Sequence, residues 1–155
     1  MNKLAVLRIR GDLNVKKDIK DTLKMLRLYN KNYCVVLDNN SNYIGMINKI
    51  KDYVTWGELD KGTFELLLKE RGRLAGNKKL SEDYLTKLKT SFADFTKDFF
   101  ESKKYLRDIP GLKQFFRLSP PIKGFERGGI KKPFSLGGAL GYRKDNINDL
   151  VKRMI

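Results

Sequence analysis

Lys17, Lys20, Lys24 and Arg27 repeat at i, i+3, i+7 and i+10, a spacing that on a helix gathers four cations into one stripe. Such a row suits the phosphates of a polyanion. A second set, Arg71, Arg73, Lys78 and Lys79, flanks the loop GRLAGN at residues 72–77, where cations beside exposed main chain also suit phosphate. A third set, Lys113, Arg117, Lys123, Arg127, Lys131, Lys132 and Arg143, is scattered through a proline- and glycine-rich stretch. Arg8 and Arg10 close the first apolar run, Asn30 and Lys31 form a turn, and Asn48 and Lys49 lie on the polar side of a helical pattern. Charged stripes ordinarily only solvate a surface. Here 33 Lys and Arg against 18 Asp and Glu give a net charge of +15, and the expected partner becomes a nucleic acid.

Other chemistry finds little support. Histidine is absent and Cys34 is the single cysteine, so neither a disulfide framework nor a Cys/His zinc site can be built within one chain. Without histidine the commonest neutral-pH general base is missing, and no close carboxylate pair takes its place. GGALGY at residues 137–142 lacks both the lysine-serine/threonine ending of a P-loop and the spacing of a dinucleotide fingerprint. No catalytic residue, cofactor, metal or small-molecule substrate is expected. No run approaches the ~18 apolar residues of a membrane span, and the expected location is the cytoplasm.

The elements that must carry these cations follow from periodicity. Residues 4–10 read as a strand, with Ala5, Leu7 and Ile9 on one side and Leu4, Val6, Arg8 and Arg10 on the other. Asn14 is a candidate cap for a helix reaching about Leu28, with Ile19, Leu23 and Leu26 on its buried side. YCVVL at residues 33–37 reads as a buried strand in which Cys34 fills core space, and DNNSN at residues 38–42 as a turn. GMINKIKDYVTWGE at residues 45–58 reads as a short helix running into a strand. Met46, Ile47, Ile50 and Val54 share its apolar side, and Trp56 is expected to be buried. Strand, helix, strand, helix, strand over residues 1–59 make a small unit whose helices cover one sheet face. The other face needs a cover from RNA, a partner or the remaining chain.

Residues 60–109 are read as a helical extension packed on that unit. Phe64, Leu67 and Leu68 form the buried side of a helix over residues 60–71, and Ser81 and Ser91 are candidate caps. Phe92, Phe95 and Phe99 are spaced for packing rather than for stacking on bases. Charge changes after that. Residues 60–109 carry 12 basic and 9 acidic side chains, whereas residues 110–155 carry 10 against 3, together with all four prolines and seven of the glycines. Proline and glycine at this density oppose long regular elements. The interspersed Phe115, Phe116, Phe125, Phe134, Leu136 and Leu140 predict a segment that docks on the core and presents its cations outward. Residues 146–155 read as a short amphipathic helix.

TLKMLRLYNKNYCVVLDN at residues 22–39, GMINKIKDYVTWGEL at 45–59, RGRL at 71–74, KKPFSLGGALGYR at 131–143 and the closing INDLVKRM resemble the large-subunit ribosomal proteins of the L-thirty family in their archaeal form. The resemblance covers nearly the whole chain. It implies an α+β fold with a βαβαβ core and a three-stranded antiparallel sheet in the order 3-1-2, distantly similar to the ferredoxin-like fold. It also implies a structural role without catalysis or cofactor. The implied partners are 23S-type rRNA, with 5S rRNA and neighbouring large-subunit proteins close by. A free-standing nucleic-acid-binding or chaperone protein is the competing expectation.

Overall fold

The computed structural model describes residues 2–155. An unbroken apolar run, Leu4 to Leu7, buried on both faces, sets its central strand, β1 (Lys3–Arg8), which runs antiparallel to β2 (Tyr33–Asp38) on one side and to β3 (Val54–Glu58) on the other. Val6 lies opposite Val35 and Trp56 in the two ladders. Between the strands come α1 (Lys17–Met25) and α2 (Ser41–Lys49). Leu4 and Val6 point to their side of the sheet, where Leu23, Leu26, Ile47 and Ile50 enclose them.

The implied order of the three central strands is present, but the sheet does not stop there. It has five strands in the order β4-β2-β1-β3-β5, because the proline- and glycine-rich segment adds β4 (Phe116–Arg117) beside β2 and β5 (Gly141–Tyr142) beside β3. β5 runs parallel to β3. The sheet is therefore mixed rather than purely antiparallel. Each added strand is two residues long, as expected where glycine and proline interrupt the backbone.

The second sheet face is covered by the chain itself. Ala5, Leu7, Cys34 and Val36 meet α3 (Lys61–Arg71), α5 (Phe92–Phe100) and α6 (Asn146–Met154) in one large apolar cluster. Phe64 stacks on Phe99 with ring centres 4.4 Å apart, and Phe100 meets Phe64 edge-on. Asp60 caps α3, Ser91 caps α5, and Ser81 caps the short α4 (Glu82–Lys87). Buried Asn148 of α6 donates to the carbonyl of Glu58 and accepts from the amide of Asp60, each at 3.0 Å. This ties α6 to the β3–α3 junction. Gly57 is needed at that crossing, since a Cβ there would lie 2.0 Å from the Lys144 carbonyl oxygen.

Three local expectations change. α1 begins at Lys17, not after an Asn14 cap, and Asn14 has a positive φ of 56°. The same helix ends at Met25 in a Schellman arrangement, with the Leu28 amide on the Leu23 carbonyl and Arg27 in the left-handed region at φ 61°. α2 starts at Ser41 inside the stretch read as a turn, because the Asn40 side chain accepts from the Tyr43 amide at 2.9 Å. Trp56 is half-buried rather than enclosed, resting on the cluster under α1 and α2 with its ring 6.2 Å from that of Tyr142.

Lys3 is buried as well. Its ammonium pairs with Asp38 and lies 4.4 Å from the Phe99 ring centre, joining the sheet to α5. Cys34 is enclosed, and burial pushes its thiol up to about 12. A water-soluble disulfide reagent at pH 8 should leave the native chain unlabelled and modify this thiol only after unfolding. Rapid labelling of the native protein would contradict that enclosure.

Candidate nucleic-acid interface

The cations expected to bind phosphate fall into three structural situations. Lys17 and Lys24 are exposed along α1, with Lys20 half-buried between them, while Arg27 is exposed just beyond the helix end, off the expected helical stripe, because its left-handed backbone terminates α1. Asn48 and Lys49 are exposed on the adjacent α2, and Lys49 Nζ lies 3.8 Å from Asp18 of α1. The two helices thus present one outer surface. The Asn30-Lys31 turn is exposed, as are Arg117, Lys123, Arg127, Lys131 and Lys132, while Arg10 is half-buried beside Tyr53.

Arg8 and Arg143 are corrections. Each is only 2% exposed, and neither reaches solvent phosphate. Arg8 Nη1 donates to the Leu28 and Tyr29 carbonyls at 2.7 and 2.9 Å, Nε donates to the Arg10 carbonyl at 2.9 Å, and Nη2 pairs with Asp12. The Arg8 guanidinium beside Asp12 holds that carboxyl below the usual carboxylate range. Arg143 forks onto Glu126 at 2.7 and 3.3 Å and donates to Thr55 Oγ1 at 2.8 Å and to the Ala139 carbonyl at 2.7 Å. Its guanidinium also lies 4.8 Å from the Phe134 ring centre. Alternation placed Arg8 on the Leu4–Val6 side of β1, which is a covered side. Its burial follows directly.

The loop after α3 divides in the same way. Arg71 is half-buried and donates to the Ser119 hydroxyl at 2.9 Å and, through Nε, to the Ile155 carbonyl at 3.1 Å. Arg73, also half-buried, donates to the Glu70 and Gly72 carbonyls at 3.2 and 3.1 Å. Lys79 pairs with Glu70 at 3.2 Å, and Lys78 is exposed. Arg71 therefore mainly ties α3 to the C-terminal segment, and the outward charge of this loop lies at Lys78 and Lys79.

Chain contacts link several of these points. Arg71 meets Ser119, and Arg117 pairs in register with Tyr33 and lies 5.8 Å over its ring. Tyr33 adjoins the Asn30-Lys31 turn. That turn lines an open groove of about 910 Å³ together with Arg10, Leu13, Tyr53 and Lys131. Exposed cations thus run from Arg117 on β4, past the Asn30-Lys31 turn, to the groove. GGALGY contributes a chain crossing rather than a nucleotide loop, since a Cβ on Gly138 would lie 2.0 Å from the Lys132 carbonyl oxygen.

Sequence reasoning passed over the exposed aromatics Tyr29, Tyr105 and Tyr142, and the signal that was available for Tyr29 was its place beside the Asn30-Lys31 turn. Tyr142 donates to Glu58, and the carboxylate pushes the phenol up to about 12. Among the described residues no cluster of three or more His, Cys, Asp or Glu side chains could hold a metal, and no helix is long and apolar enough to cross a membrane.

The family described as ribosomal protein L30p/L7e matches residues 4–54, the span from β1 to the start of β3. The likeness extends further in individual proteins. The large ribosomal subunit protein uL30 of Methanopyrus kandleri is 50% identical over 149 residues, covering 95% of this chain and all of that protein. Its counterpart in Methanococcus vannielii is 53% identical over 152 residues, covering 97% and 98% of the two chains. That of Nanoarchaeum equitans is 49% identical, with 97% of each chain covered. With identity near 50% over nearly the whole chain, the chain belongs to the uL30 family of ribosomal proteins.

Proposed function

We propose that this chain is a structural constituent of the large ribosomal subunit, located with the ribosome in the cytoplasm and binding 23S-type rRNA through lysine- and arginine-phosphate contacts. The observation that carries the reading is full-length identity near 50% to large-subunit proteins named uL30. The protein is not an enzyme. Its work is to hold rRNA segments in place, and the folded βαβαβ unit supplies a rigid base from which cations project.

In this reading residues 1–59 form the rRNA-binding core, residues 60–109 back the sheet, and residues 110–155 dock on the core while reaching towards rRNA. The phosphate contacts come from Lys17, Lys20, Lys24 and Arg27, from Asn30, Lys31, Asn48 and Lys49, and from Arg10, Lys78 and Lys79. Arg117, Lys123, Arg127, Lys131 and Lys132 complete the set. Arg71 and Arg73 contribute through the loop they shape. 5S rRNA and neighbouring large-subunit proteins lie close to this surface.

A sucrose-gradient profile of cell lysate at moderate salt, with the chain followed by mass spectrometry, tests the assignment. Co-migration with the large subunit is the expected result. Sedimentation of most of the protein away from large subunits would favour a free-standing RNA-binding or chaperone role instead.

A further inference from the structure

The groove bounded by residues 10–14, the 30–32 turn and residues 120–131 has walls of two kinds. Leu13 is 89% exposed and Ile130 40% exposed, although both are apolar. Half-buried Tyr53 and Phe125 continue this apolar lining, and Arg10, Lys31 and Lys131 line the same groove. At about 910 Å³ the space is of ligand-pocket size. A side chain as exposed as Leu13 contributes nothing to the core.

The loop that holds Leu13 is nevertheless fastened. Buried Arg8 binds the Arg10 carbonyl and the Asp12 carboxylate in the groove wall, and the carbonyls of Leu28 and Tyr29 just before the Asn30-Lys31 turn that forms the facing wall. The Asp12 carboxylate, the one acidic group lining the groove among the described residues, is engaged by that guanidinium. What is left facing solvent is cationic and apolar together. Asn14 and Asn30 add exposed amides that can both donate and accept.

We propose that this groove receives an unpaired nucleotide of the RNA, with its base against Leu13, Tyr53 and Ile130 and its flanking phosphates held by Arg10, Lys31 and Lys131. The proposal rests on the rRNA-binding reading and adds the kind of RNA feature recognised. A regular A-form duplex keeps its bases stacked and its major groove too narrow for side chains, so only a bulged, looped or terminal base can enter a groove of this kind. The Arg10 guanidinium lies over the Tyr53 ring, 5.3 Å from its centre, which fixes this phosphate-binding cation beside the apolar wall. Phosphates of paired RNA need the cations alone. The apolar wall is explained by a base.

The test is chemical probing of a 23S-type rRNA transcript with and without the full chain, using a reagent that acylates flexible 2′-hydroxyls and one that methylates exposed base edges. With the unaltered protein, one or two unpaired nucleotides should lose reactivity. Leu13→Ser combined with Ile130→Ser removes exposed side chains only and should leave the circular dichroism spectrum unchanged. It should restore reactivity at those nucleotides, keep the backbone protections elsewhere, and weaken binding about 5- to 100-fold. Lys31→Gln with Lys131→Gln should instead lower the salt dependence of binding while preserving the base protection at low salt. Protections that are unchanged in the serine variant, or lost uniformly across the footprint, would overturn the groove assignment while leaving rRNA binding intact. Failure of the unaltered protein to bind the transcript would overturn the rRNA-binding reading itself.

Discussion

Raising the salt concentration from 50 to 200 mM should weaken binding of the free chain to 23S-type rRNA by roughly 10³- to 10⁵-fold, the loss that accompanies neutralisation of about 6 to 10 phosphates in duplex. The loss is smaller where single-stranded segments provide the contacts. This range follows from the exposed cations on α1, α2, the Asn30-Lys31 turn and the belt through Arg117 to Lys132, and not from the total charge of +15. Arg8 and Arg143 are excluded from it because they are enclosed with acidic and carbonyl partners. The slope of log affinity against log salt measures the number directly, and Lys131→Gln with Lys132→Gln should reduce its magnitude by about 2. Affinity that did not change with salt would remove the electrostatic account.

Arg143→Met should destabilise the free protein by about 3 kcal/mol, near the lower end of what breaking a buried ion pair costs. Glu126 retains some contact with water, which moderates the loss, but the Ala139 carbonyl and Thr55 hydroxyl lose a buried donor. For a chain of this size the midpoint of thermal unfolding should fall by roughly 6 to 12 °C. Replacing both charges, Arg143→Met with Glu126→Gln, should recover part of that loss because no half-buried carboxylate is then left without its partner. Circular dichroism melts of the free chain check both variants, and proteolysis should speed up between residues 126 and 143 in the single one. An unchanged midpoint would mean that the fork adds nothing to stability.

The β1 strand and the faces of α1, α2 and α3 were legible because each obeys a short period: Leu4 and Val6 against Ala5 and Leu7, or Phe64 with Leu67 and Leu68. Arg8 was misread for a different reason. Its partners lie 2, 4, 20 and 21 positions away, and three of them are main-chain carbonyls, which carry no side-chain signature. β4 and β5 were invisible because two residues make no pattern and their pairing depends on strands more than 80 positions away. The start of α2 was lost because Asn40 serves a helix cap as readily as a turn. Of the candidate cations, Lys17, Lys20 and Lys24 lie on α1 as their spacing predicts, whereas Arg27 falls beyond the helix end. The groove was not legible, since it exists only where residues 10–14, 30–32 and 120–131 meet.

The closing of β3 by residues 141–148 has a bearing on biosynthesis. Thr55 and Glu58 find their partners Gly141 and Asn148 at separations of 86 and 90 positions. Until that later segment leaves the ribosome, the outer edge of β3 has no strand beside it and the face carrying Ala5, Leu7 and Cys34 lacks α6. An emerging chain therefore passes through a stage with an open strand edge and a partly bare apolar sheet, the condition under which strands pair wrongly between molecules. The nascent chain of a strongly basic protein is at that moment surrounded by polyanions.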